Sequence, residues 1–185
     1  APQCASIGSP VVPSVVSAES VSVAAVDSLV EGSTPVDVES AGVELLDALS
    51  VFGGNALTAY LGLVEIGEPK PGETVVVSGA AGSTGSIAVQ IARLLGCKAI
   101  GIAGGPAKCE WLRSQARVEA IDYKNENVSE RLKALAPGGV HVFFDNVGGW
   151  QMITGLHHMK THGRISMCGA VSNCGSAKQP SRAEL

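Results

Sequence analysis

The chain has 185 residues, of which 45% are hydrophobic and 16% charged, with a formal net charge of −4. That length suits about one domain with a sizeable core, and that composition suits a buried parallel sheet better than a disordered chain. The acidic balance, without any basic block, argues against nucleic acid as a partner, and no apolar run approaches the ~20 residues that cross a bilayer.

Residues 1–40 are rich in Ser, Val, Ala and Pro. They do not open with Met and carry no positively charged start, so a secretory signal is not expected. SVSVAAV (20–26) reads as a strand. Val36–Ser50 starts like a helix with acids in its first turn. The preferred reading of residues 1–48 is the remnant or altered end of another, N-terminal catalytic domain, with a nucleotide-binding domain over 49–185. Phe52–Leu63 mixes small and apolar residues, as a helix close to a ligand does, and Glu68–Glu73 is a turn.

Thr74–Ser78 is a short β-branched run, the mark of a buried strand. Glycines follow at Gly79, Gly82 and Gly85, and then a helix begins. Ile87, Ile91, Leu94 and Leu95 fall on one face of it, and Gly96 can stop it. Strand, glycine turn and helix in that order open a dinucleotide-binding βαβ unit. Gly79 allows the tight turn, Gly82 lets backbone approach a pyrophosphate, and Gly85 lets helix pack on strand. The helix N-terminus offers amides and partial positive charge to the anion. The bland counterpart is a glycine-rich βα turn that binds nothing.

Four more strands are expected: Ala99–Ala103, Glu119–Asp122, Val140–Phe144 and Arg164–Cys168. Helices are expected at Pro106–Ser114, from an N-cap at Ser129 to Leu135, and at Trp150–Met159. Alternating strands and helices imply an α/β fold, a doubly wound parallel sheet of Rossmann type. Ligands then sit beyond the C-terminal strand ends, where Gly79–Gly85, Gly104–Gly105, Asn146–Gly149 and Gly169–Ser172 all lie. The chain stops short of the last strand of a six-stranded fold. Strand five is therefore expected as a bare edge unless another chain covers it, as a homodimer would.

An NAD site places an acid at the end of strand two to bind the ribose 2′-hydroxyl. Here that strand ends Ala103-Gly104-Gly105, and the next ionisable group is Lys108, a point charge for a 2′-phosphate. Tyr123 can add its hydroxyl. NADP(H) is favoured over NAD(H). The plainer alternative makes Lys108 a solvated first-turn lysine and Tyr123 a packing residue.

Cys4, Cys97, Cys109, Cys168 and Cys174 form an odd, scattered set without a CxxC pair, which fits reduced thiols in a cytoplasmic setting. No four ligands with zinc spacing can be assembled from them, and His157, His158 and His162 read as solvated or locally bonded.

LTAYLGL (57–63), GETVVVSGAAGSTGS (72–86), GIAGGPAKCEWL (101–112), IDYK (121–124), FFDNVGG (143–149) and GRISMCGAVS (163–172) together resemble the zinc-independent medium-chain dehydrogenase/reductases. The likeness is to the leukotriene B4 12-hydroxydehydrogenase/prostaglandin reductase branch, with its NADPH-dependent 2-alkenal and curcumin reductases. The resemblance implies NADP(H) binding without catalytic zinc, and hydride reduction of the C=C bond of α,β-unsaturated aldehydes and ketones. A quinone reductase of the same superfamily and a non-catalytic NADPH-binding module are the alternatives.

By the same resemblance the pyrophosphate turn covers Gly79, Ala81, Gly82, Ser83, Thr84 and Gly85. Gly104, Lys108 and Tyr123 belong to the 2′-phosphate end. Asn146 lies beside the nicotinamide half, and Cys168, Gly169, Ala170, Val171 and Ser172 form a loop along the cofactor. Thr58 and Tyr60 sit near the cleft, Tyr60 being the candidate catalytic residue beside a structural role for its ring. The chain departs from the family at Cys174, where a tyrosine is usual, at Gly54-Asn55-Ala56, where Met-Pro-Gly is usual, and in being shorter.

Overall fold

A computed structural model describes residues 53–173 of the chain. The readings made for residues 1–52, including the domain boundary near residue 48, and those for Cys4 and Cys174 lie outside the described residues.

Five parallel strands form one sheet in the order β3-β2-β1-β4-β5. They are β1 (Thr74–Ser78), β2 (Lys98–Ala103), β3 (Glu119–Asp122), β4 (Val140–Asp145) and β5 (Met159–Met167). Val75, Val76 and Val77 of β1 are fully buried, as a central strand covered on both faces requires. β1 pairs with β2 on one side, Val76 opposite Ile100, and with β4 on the other, Val76 opposite Phe143. The winding direction reverses between those neighbours, so the crevice of a doubly wound sheet opens at the C-terminal ends of β1 and β4.

The helices are α1 (Gly54–Tyr60), α2 (Ser83–Leu94), α3 (Pro106–Ser114), α4 (Val128–Leu135) and α5 (Gly149–His157). α1 runs on into a wider π-helical turn at Leu61–Ile66. On one face of the sheet Ala59, Ala88, Val89, Ala92, Cys109 and Leu112 pack on Val75 and Val77. On the other, Val128, Leu132 and Met152 pack on Val76, Ile100, Ile102 and Phe143. The helices thus cover a sheet buried on both sides, which is how a three-layered α/β/α core closes.

Four expectations are corrected. The buried face of α2 is not the Ile87, Ile91, Leu94 and Leu95 face. It is the small-residue face of Gly85, Ser86, Ala88, Val89 and Ala92. Small side chains let the helix axis approach the sheet, which moves Ile87, Ile91 and Leu95 to its partly buried flank and leaves Leu94 exposed. The cap of α4 is Asn127, whose side chain accepts from the Glu130 amide at 3.2 Å, whereas the Ser129 hydroxyl is bonded to His158 Nε2 at 2.8 Å. α5 ends at His157, not Met159.

β5 starts at Met159, not Arg164. It joins β4 at Val140 and resumes at Val142 opposite Arg164, with a bulge between. Lys160, Thr161 and His162 in the bulged stretch are exposed, so this edge strand lacks the apolar alternation that marks a strand in sequence. Among the described residues β5 is one edge of the sheet and β3 the other. No helix among them is long and apolar enough to cross a membrane.

Candidate functional site

Where β1 and β4 end, a buried polar knot sets the crevice. Asp145 is fully buried at the end of an otherwise apolar strand. It accepts from the Ser78 hydroxyl at 2.5 Å and from the amides of Val147 and Gly148 at 3.0–3.1 Å. The Ser78 oxygen in turn accepts from the Asn146 amide at 2.8 Å, and Asn146 Nδ2 donates to the Ser78 carbonyl at 2.7 Å. Asn146 is thus held by two groups of Ser78, the hydroxyl and the carbonyl, at the end of β1. Sequence reasoning singled out Asn146 and missed Ser78 and Asp145. The available signal was an acid closing the run Val140–Phe144 opposite a serine closing Thr74–Val77.

The glycine turn leads directly from β1 into α2. Its N-cap is Gly82, which supplies no side-chain cap to the first-turn amides of Ser83, Thr84 and Gly85. Gly85 is required by space: a Cβ there would stand 2.3 Å from the Gly79 carbonyl oxygen and 2.9 Å from Ala80 Cα. That contact draws the start of the helix onto the turn. The Thr84 hydroxyl donates to Asn55 Oδ1 at 3.1 Å, which places α1 beside the same turn. Ala81 is half-buried here, and Gly82 and Ser83 are exposed.

The ends of β2 and β3 meet through Asp122. Its carboxylate accepts from the Gly105 amide at 2.8 Å, the Lys124 amide at 3.0 Å and Asn125 Nδ2 at 2.7 Å. The Gly105 amide in particular holds this carboxyl below its usual range, with Asn125 and Lys124 adding to it against the opposing effect of burial. An acid therefore does come to the end of β2, but from the neighbouring strand and with its oxygens already engaged. Tyr123 covers Gly104, where a Cβ would lie 2.7–2.8 Å from the ring. Lys108 is exposed in the first turn of α3.

The loop after β5 closes on the loop after β4. The Cys168 and Gly169 amides donate to the Asp145 carbonyl at 2.8 and 3.1 Å, and the Ser172 amide donates to the Val147 carbonyl at 2.9 Å. The loop Cys168–Ser172 therefore lies along Asn146–Gly149. Ala170 and Val171 are exposed, whereas Cys168 is half-buried with its sulfur 3.5 Å from the Ser166 hydroxyl. Tyr60 is buried at the end of α1, and the Thr58 hydroxyl donates back to the Gly54 carbonyl at 2.7 Å. Cys97 and Cys109 are buried thiols whose pKa values burial pushes up, so they are poor nucleophiles.

A five-stranded parallel sheet whose glycine turn and strand-end loops meet at one switch point defines a Rossmann-type α/β domain. The chain belongs to the family described as zinc-binding dehydrogenase, which matches residues 83–182. It is 48% identical over 126 residues to prostaglandin reductase 1 of Bos taurus, covering 68% of this chain and 38% of that one. To the 2-alkenal reductase (NADP(+)-dependent) of Nicotiana tabacum it is 42% identical over 124 residues, covering 66% and 36%. The crystal structure of CurA from Vibrio vulnificus in complex with NADPH superposes with a TM-score of 0.67 at 38% identity, over 74% of this chain and 42% of that one. The chain thus spans well under half the length of these relatives. These likenesses place it with the prostaglandin, alkenal and curcumin reductase branch of the medium-chain dehydrogenase/reductases. The family description mentions zinc; among the described residues no three His, Cys, Asp or Glu come together to hold an ion.

Proposed function

We propose that this chain binds NADP(H) at the C-terminal strand ends and serves the zinc-independent reduction of the C=C bond of an α,β-unsaturated aldehyde or ketone. The observation that carries the reading is the end of β2. The nearest carboxylate, Asp122, is engaged by Gly105, Lys124 and Asn125, while Lys108 opens the next helix exposed. A ribose bearing a phosphate suits that arrangement better than one bearing a hydroxyl. The relatives support the same choice: one is an NADP(+)-dependent 2-alkenal reductase and another, CurA, is seen in complex with NADPH.

The roles follow from position. Amides of Ser83, Thr84 and Gly85 behind Gly82 hold the pyrophosphate, with Gly79 and Ala81 shaping the turn. Lys108 and the Tyr123 hydroxyl, which lies against Gly104, would hold the 2′-phosphate. Asn146 and the loop Cys168, Gly169, Ala170, Val171 and Ser172 line the nicotinamide half and keep water from it. When bound there, the nicotinamide supplies the hydride. Thr58 borders the cleft with its proton directed into α1, and Tyr60, in the same helix, is the candidate proton donor.

Calorimetric titration of the chain with NADPH and with NADH tests the cofactor, and consumption of NADPH on adding a 2-alkenal or a quinone tests the reaction. NADPH is expected to bind more tightly than NADH and to be oxidised by the alkenal. Binding of neither nucleotide overturns the reading. Faster oxidation by the quinone makes it a quinone reductase, and binding without turnover leaves a nucleotide-binding module.

A further inference from the structure

The chain is poor in aromatic residues, with two Trp, two Tyr and three Phe. Among the described residues Phe143, Phe144 and Tyr60 are buried and Trp111 is half-buried. The two exposed rings among the described residues are Tyr123, 38% exposed, and Trp150, 48% exposed. They touch: their centroids are 6.0 Å apart with the planes at 68°. Tyr123 directly follows β3, and Trp150 stands in the first turn of α5, just behind β4. β2 and β1 lie between those strands, so the contact joins two sides of the strand-end crest.

We propose that Trp150 is the stacking surface for the purine ring of the bound nucleotide, with Tyr123 bracing it. The proposal rests on the cofactor reading above and deepens it. An edge-to-face contact occupies at most one face of the indole, which leaves a face for a second ring. The pyrophosphate at the Gly82–Gly85 turn and a 2′-phosphate at Lys108 fix two corners of the adenosine on the β1–β3 side. The Tyr123 ring lies against Gly104 at the end of β2, so a base attached to that ribose would lie beside Tyr123 and the Trp150 ring it touches. Any purine offers a π-face to such a ring, so the contact adds affinity without selecting between NADP(H) and NAD(H). Selection stays with Lys108.

The test uses adenosine 2′,5′-bisphosphate, which carries the base and the 2′-phosphate but no nicotinamide. In a Trp111→Phe background Trp150 is the only tryptophan, and its emission is expected to quench to saturation at the affinity found by calorimetry. Trp150→Leu is expected to weaken both the bisphosphate and NADPH about tenfold, the equivalent of about 1.4 kcal/mol of stacking, and Trp150→Phe to recover most of it. The ring is exposed, so thermal melts of both variants should match the parent and separate lost stacking from lost fold. If Trp150→Leu binds as tightly as the parent, or if Trp150 emission is unmoved at saturation, the stacking role is overturned while the cofactor reading stands. If the parent binds neither NADPH nor the bisphosphate, both fall together.

Discussion

A carboxylate beside a nucleotide ribose decides which nicotinamide cofactor binds, and in this chain the outcome depends on where Asp122 directs its oxygens. They accept from Gly105, Lys124 and Asn125, so a ligand there meets exposed positive charge, with Lys108 in the first turn of the next helix. Lys108→Ala is accordingly expected to weaken NADPH about tenfold at low salt, through loss of a charge-assisted contact, and to leave NADH unchanged. Calorimetry with both cofactors at two salt concentrations checks this. Equal losses for the two remove Lys108 from the phosphate. Asp145 works at the other end of the crevice by holding Ser78 and two loop amides in a fully buried place. Asp145→Ala leaves those donors unpaired, which costs about 3 kcal/mol in urea unfolding and also loosens Asn146. Neither acid's role was legible in the sequence. An acid closing a strand is visible there, but which amides meet it is fixed only when strands from distant parts of the chain lie side by side.

The elements themselves were easier to read where chemistry repeats along the chain. β1 and α3 have the bounds the sequence implies, because Val75–Val77 is a buried run and Pro106 marks a first helical position. Legibility failed where size matters more than hydrophobicity. α2 turns Ala88, Val89 and Ala92 to the sheet, and a pattern search weighted to large residues selects the wrong face. It failed again at β5, whose early residues are polar and exposed. β5 is nonetheless tied down from its far side: Arg164 donates to the Gly67 carbonyl at 2.9 Å and the Glu68 carbonyl at 2.8 Å and forms an ion pair with Glu73. This joins the edge strand to the π-helical turn and to the start of β1.

The Arg164 hydrogen bond, with help from the Lys70 amide, lowers the Glu73 pKa to about 2 against the cost of burial. An unfolded Glu73 titrates near 4.5. The ion pair therefore contributes its full stability above about pH 4.5 and loses it as pH falls towards 2, by at most about 3 kcal/mol. Urea melts of the parent should show that slope between those pH values, and Glu73→Gln should remove this part of it. A variant with the parent's slope places the acid sensitivity at other carboxylates.

Across the described residues the two polar knots lie at opposite ends of β1, Ser78–Asp145 where β1 and β4 end and Glu73–Arg164 where β1 begins beside β5. In such a sheet ligands meet only the C-terminal ends. Stability and binding should consequently separate by end. A ligand at one hundred times its Kd adds about 2.7 kcal/mol to the folded state, a rise in Tm of several degrees for a domain of this size. Glu73→Gln is expected to lower the Tm at neutral pH and to keep the full NADPH-induced rise, because nothing at the crevice has moved. Asp145→Ala is expected to lower the Tm and to shrink the rise as well, since the same carboxylate that closes β4 also fixes the Val147 and Gly148 amides and, through Ser78, Asn146. Differential scanning of the three proteins with and without NADPH decides the matter. A rise that shrinks equally in both variants would mean that the sheet transmits strain along its strands, and the separation by end would fail.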